Sequence, residues 1–173
     1  MEGISDLLLV LVLLMNFLIL GTSEMKAAIR AAAFQGVILS LLPPLLHHDV
    51  GLRMLLLVGT TAAIKGLLIP SLLFKAMRDV RIRHEVEPYV GFVPSLFLCA
   101  VGTGLAVLFS SGLPVAEEHR DVLIVPASLA TLIAGFLVLT TRRKAISQVV
   151  GYLILENGIF VFGLLLLEAM PFI

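Results

Sequence analysis

The sequence predicts an all-α bundle of six membrane-spanning helices, and three observations carry that prediction. Hydrophobic residues make up 60% of the 173 positions, and mean hydropathy is +1.11. Charged residues make up 14%, against about 25% in an ordinary soluble domain. The apolar runs are each about the length that a helix needs to cross a 30 Å hydrocarbon layer.

Taken in order, the expected spans are 4–21, 27–46, 52–77, 89–111, 122–141 and 145–168. Glu2 and Asp6 stand where a signal peptide carries Lys or Arg, so 4–21 reads as a retained span. Thr22-Ser23-Glu24 offers an N-cap region for the second span. Pro43-Pro44 and His47-His48-Asp49 close that span. Residues 78–87 are the most polar stretch and belong outside the lipid, as do Glu117 to Asp121. Arg142-Arg143-Lys144 forms a very short turn between the last two spans. With so little loop, residues 1–173 read as a single integral-membrane domain.

Basic residues set the expected orientation. Lys26, Arg30, Lys75, Arg78, Arg81, Arg83, Arg142, Arg143 and Lys144 fall on one side, and Arg53 and Arg120 on the other. The positive-inside rule makes the first side cytoplasmic, with both termini outside. The expected location is the inner (plasma) membrane of a prokaryote.

Formal net charge is zero, which leaves no footprint for nucleic acid. The single cysteine, Cys99, excludes an intrachain disulfide and a Cys-based cluster. Adjacent histidines at 47 and 48 lack the i, i+4 spacing of a helical metal site. No nucleotide-binding or nucleophile motif is present.

Within the spans, Glu156 is the most informative residue. It lies 12 residues into 145–167, roughly 18 Å at ~1.5 Å per residue. A carboxylate at that depth costs roughly 2.5–3.5 kcal/mol on insertion scales. Gln148, Tyr152 and Glu156 recur every four residues and share a helix face. Gly163 extends that face toward a neighbouring helix. Asn157 sits about 100° away, facing an adjacent helix. Lys65 is the second charged group at depth, with Thr61 one turn earlier. Pro70 lacks the N–H that would bond Gly66, which predicts a bend just past Lys65. A carboxyl and an amine at this depth form a candidate ion or proton path. The plainer alternative is a static Lys65–Glu156 pair that pins two helices. Gln35 and Asn16 are mid-span amides suited to interhelical hydrogen bonding.

The segment Thr141-Arg142-Arg143-Lys144, followed by Gly151-Tyr152-Leu153-Ile154-Leu155-Glu156-Asn157-Gly158, resembles the hydrogenase-4 component E family. These are membrane subunits related to the K subunit of respiratory complex I. Ile64-Lys65-Gly66-Leu67-Leu68-Ile69-Pro70 resembles the family's third span, and Phe34-Gln35 is a looser match. The resemblance implies a non-catalytic membrane-arm subunit of a group 4 [NiFe] hydrogenase or related oxidoreductase complex, contributing to proton or sodium translocation. It implies no cofactor in this chain, with Ni-Fe and Fe-S centres in partner subunits. The implied partners are antiporter-like and quinone-site-like membrane subunits. Lys65, Glu156, Gln35 and Asn157 are the positions that carry over. The family pattern has a further span with its own acidic residue, whereas this sequence ends at Pro171-Phe172-Ile173. A small subunit of a multi-subunit cation/proton antiporter, or a structural membrane scaffold, are the alternative readings.

Overall fold

A computed structural model describes residues 2–46, 51–79, 86–112 and 123–169. Eight α-helices and one π-turn make up these segments. They are α1 (Glu2–Gly21), α2 (Met25–Ser40), α3 (Leu42–Leu46), α4 (Leu52–Ala63), the π-turn (Ile64–Leu68), α5 (Ile69–Asp79), α6 (Phe92–Ser111), α7 (Ile124–Thr141) and α8 (Ala145–Ala169). No strand occurs among the described residues, and one isolated bridge joins Pro88 to Arg142. Among the described residues, six helical stretches are long and apolar enough to cross a membrane: 3–21, 25–45, 52–79, 92–111, 124–141 and 145–164. The chain is thus an all-α membrane protein whose spans match the expected ones to within a few residues. The His47-His48-Asp49 and Glu117–Asp121 readings, together with Arg81, Arg83 and Arg120, lie outside the described residues.

Three local expectations are refined. The second span does not run unbroken to its prolines: α2 ends at Ser40, and Pro43 and Pro44 belong to the separate short helix α3. Proline tolerates the first turn of a helix, where N–H groups have no intrahelical acceptor. The N-cap of α2 is Glu24, with no side-chain cap bond; Thr22 Oγ1 instead accepts from Glu24 N–H at 3.2 Å. Around Lys65 the helix widens into the π-turn, closed by the bond from Ile69 N–H to Ile64 O, an i→i+5 link. Pro70 withholds the amide that would bond Gly66, and an extra residue in the turn absorbs the broken ladder.

Close packing of α7 on α8 forms the centre of the bundle. A Cβ at Gly135 would lie 2.5 Å from Leu155 N, one at Gly151 2.6 Å from Leu139 N, and one at Gly158 2.8 Å from Leu132 N. Three glycines therefore let the two backbones meet, the usual route to helix association in lipid. Gly163, expected to serve this purpose, has open space around it. The sequence pattern marked a polar face of α8, whereas the tight contact runs along the Gly151–Gly158 face.

The apolar core forms two clusters. One contains Ile19, Met25, Ile29, Met77, Val138, Val150 and Ile154. The other contains Leu9, Val12, Ile38, Leu39, Ile124, Ala127 and Val161. Asn16, Gln35, Thr131 and Asn157 fall between them in sequence on α1, α2, α7 and α8, and all four are buried. A polar layer thus divides the bundle. Helix α4 lies at the periphery, with no buried residue.

The basic end is stitched together by backbone bonds. Val86 N–H donates to Ser23 O at 2.8 Å, Tyr89 N–H to Thr141 O at 2.7 Å and Arg143 N–H to Glu87 O at 3.0 Å. Arg30 stacks near Phe74 at 6.0 Å, and Lys144 pairs with Glu87 at 3.2 Å. Lys26, Arg30, Lys75, Arg78, Arg142, Arg143 and Lys144 consequently gather at one end of the bundle, as the charge pattern requires.

Candidate functional site

Lys65 is the hub of the site. Its ammonium donates to Asn157 Oδ1 at 2.8 Å and lies 3.3 Å from Glu156 Oε1. The Phe160 ring centroid is 5.5 Å from the same nitrogen. Residues 156, 157 and 160 share one stretch of α8, so a single helix surrounds the ammonium with a carboxylate, an amide oxygen and a ring face. Room for the Lys65 stem comes from α2: a Cβ at Gly36 would fall 2.9 Å from Lys65 Cδ. A Cβ at Gly66 would fall 2.7 Å from Val37 Cγ2, so the π-turn also rides close to α2.

The hydrogen bonds continue inward. Asn157 Nδ2 donates to Gln35 Oε1 at 3.3 Å, and Gln35 Nε2 to Asn16 Oδ1 at 2.8 Å and Val12 O at 3.3 Å. Asn16 Nδ2 donates to Thr131 Oγ1 at 3.0 Å. A lysine ammonium has only donors, so Asn157 must present its oxygen to Lys65. Its NH₂ then faces Gln35, which must present an oxygen in turn, and the same logic orients Asn16. The result is a head-to-tail row in which every amide oxygen points toward the cation. Such rows polarise cooperatively in a low-dielectric interior. The amides carry no titratable proton, so their part is to hold and stabilise Lys65. The ionisable members of the cluster are Lys65 and Glu156.

The two charged residues differ in burial. The Lys65 side chain is 12% exposed and that of Glu156 is 44% exposed. Beside them a cleft of about 270 Å³, lined by Ile29, Ala32, Pro70 and Leu153, opens on the outside of the bundle. Glu156 therefore faces outward at membrane depth, while Lys65 links it to the buried amides.

The expected polar stripe on α8 is only partly assembled. Gln148 Nε2 donates to Arg142 O at 3.3 Å, within the basic turn. Tyr152 is exposed, and no hydrogen bond among the described residues joins it to Gln148 or Glu156. Both lie on the outward face. Gln35 and Asn157, by contrast, are brought into direct contact, and Asn16 joins them. Thr131 was not singled out in the sequence; a threonine in an apolar run gives no signal until a partner amide is placed beside it.

Arg142 lies in the expected short turn between the last two spans, but its side chain turns inward. It is 1% exposed. Its Nη2 donates to Leu20 O at 2.6 Å, capping the end of α1, and the Phe92 ring centroid lies 5.0 Å from its guanidinium carbon. Burial lowers its pKa from the ordinary arginine value.

No protein-family model matches the sequence, and no solved structure matches it significantly. The sequence is similar to the uncharacterized protein Rv0085 of Mycobacterium tuberculosis. The two are 32% identical over 162 residues, which cover 92% of this chain and 74% of the relative. The shared length takes in most of the bundle, and the chain belongs to the same family as that mycobacterial protein.

Proposed function

We propose that this chain is a membrane-arm subunit of an energy-converting redox complex, related to the hydrogenase-4 component E family, in which Lys65 and Glu156 form part of a proton or sodium path. The observation that carries the reading is the Lys65–Glu156 contact of 3.3 Å at a π-turn within a membrane span. Intramembrane ionisable residues are costly and mark ion pathways, and single π-turns recur at functional sites.

The outward position of Glu156 supports a protein neighbour. A half-exposed carboxylate facing lipid tails would carry roughly 2.5–3.5 kcal/mol of insertion cost, which a polar surface on another subunit relieves. The unburied flank of α4 supports the same arrangement. On this reading the metal centres belong to partner subunits, the basic end faces the cytoplasm of a prokaryote, and both termini face outward.

The test is Glu156→Gln, which keeps shape and hydrogen bonding but removes the charge. The complex is expected to assemble on blue-native electrophoresis, to retain electron transfer to a soluble acceptor and to lose ion pumping in proteoliposomes. Assembly with normal pumping would leave the pair as a static scaffold, a role the direct contact also suits. Mass spectrometry of co-purified subunits separates a redox complex from a cation/proton antiporter.

A further inference from the structure

A cavity at the basic end is independent of the Lys65 site. It is small, with room for little more than one water-sized molecule, and is bounded by Ile19, Met25, Val86 and Val150 together with Arg142 and Ser147. Its walls are otherwise apolar. Two buried polar atoms among the described residues have no hydrogen-bond partner, Arg142 Nη1 and Ser147 Oγ. Both belong to residues that line this cavity, and these residues are 1% and 4% exposed.

Unpartnered buried donors cost free energy, more so on a charged group. An unpaired buried cation costs several kcal/mol. No ion pair to Arg142 occurs among the described residues. Glu87 pairs with Lys144, and Arg143 stacks on Tyr89 at 4.6 Å. Arg142 Nη2 is committed to the Leu20 carbonyl, a neutral acceptor. Ser147 lies in the first turn of α8, whose leading N–H groups add a partial positive charge.

We propose that this cavity is a binding site for one small monovalent anion, of the size of chloride, held by Arg142 Nη1 and the Ser147 hydroxyl. Two donors and apolar walls suit a compact, weakly demanding ion. A phosphate or sulfate would leave most of its oxygens without donors and meet Ile19, Met25 and Val150 instead. The bound anion neutralises the guanidinium and ties together α1, which Arg142 caps, with the start of α8.

The experiment uses the full chain in nanodiscs of neutral lipid. Thermal unfolding is followed as chloride replaces gluconate at constant ionic strength, gluconate being too large for the cavity. A saturable rise of the midpoint with chloride, reproduced by bromide, is expected. Ser147→Ala should raise the half-saturating chloride concentration about tenfold, the scale of one lost hydrogen bond to a charged group. Arg142→Gln should abolish the response. Should Arg142→Gln fail to fold, Ser147→Ala and the anomalous signal of bromide in crystals, expected beside Arg142, decide the matter. Equal midpoints in chloride and gluconate would overturn the proposal and leave the cavity to water. A chloride response unchanged in Ser147→Ala, or bromide bound elsewhere, would overturn it equally.

Discussion

Gly36 faces Lys65 across the α2–π-turn contact, and the space that a side chain at 36 would fill is occupied by the lysine stem, 2.9 Å from the would-be Cβ. Gly36→Val should therefore push the ammonium away from Asn157 without altering any charge. Losing one charge-assisted hydrogen bond costs about 1.5–3 kcal/mol. The expected outcome is a loss of ion translocation comparable to that of Lys65→Ala, with the complex still assembled, measured by pumping in proteoliposomes beside native electrophoresis. Normal pumping in the valine variant would show that the Lys65 position is not critical.

Asn157 accepts from Lys65 and donates to Gln35, so its removal leaves the buried Gln35 oxygen without that donor and the half-buried Lys65 with Glu156. Asn157→Leu keeps the volume and removes both bonds. Interhelical hydrogen bonds in lipid average about 0.6 and reach about 1.7 kcal/mol, so a total loss of about 1–3 kcal/mol is expected. Unfolding titrations of the chain in mixed micelles would measure it. A double-mutant cycle with Gln35→Leu should recover part of the loss, since the glutamine oxygen no longer needs a donor.

Gly135 stands against the backbone of Leu155 with no room for a methyl group. Gly135→Ala must separate α7 from α8, and overpacking of this kind costs about 1–3 kcal/mol. Gly163→Ala meets open space and should leave the unfolding midpoint of the detergent-solubilised chain unchanged. Equal midpoints for the two variants would count against the α7–α8 interface.

Pro70→Ala restores an N–H opposite the Gly66 carbonyl and with it the option of an unbroken α-ladder. Closing the π-turn would swing residues on one side of it by about 100° relative to the other. Hydrogen exchange of the amides of residues 64–70 should slow, and pumping should fall as Lys65 turns away from Glu156. Unchanged exchange would mean that the wide turn is held by α2 packing and not by the proline.

Orientation has its own test. Tyr89 is exposed at the basic end, while the native Cys99 is buried. In a Cys99→Ser background, Tyr89→Cys should react with a membrane-impermeant thiol reagent only after the cells are opened. Labelling of sealed cells would reverse the assigned sidedness.

The number and limits of the spans were legible in the sequence because apolar length and charged breaks are set by the bilayer itself. Lys65 and Glu156 stood out for the same reason, since charge at depth is conspicuous. Their pairing stood among the readings because opposite charges at depth seek each other, although 91 residues separate them; its geometry, with Asn157 and Phe160 also around the ammonium, came only with the packing. The π-turn escaped notice because Pro70 announces a broken ladder without saying how the helix absorbs it. Arg142 was hidden by its neighbours. Three consecutive basic residues mark a short turn without telling one from another: Arg143 and Lys144 find Tyr89 and Glu87, while Arg142 turns inward. Gly163 continues the helix face of Glu156, but no described residue packs against it at that position.

The 3.3 Å separation of Lys65 and Glu156 also limits what the transmembrane voltage can do there. A charge crossing the whole membrane field gains or loses about 2.3 kcal/mol per 100 mV. Even if their separation lay wholly along the membrane normal, it would span about a tenth of the 30 Å hydrocarbon layer. A proton handed from one to the other then feels no more than about 0.3 kcal/mol per 100 mV. Exchange within the pair is nearly electroneutral, and the electrogenic part of any transport cycle must fall on the steps that bring an ion to this depth and carry it away.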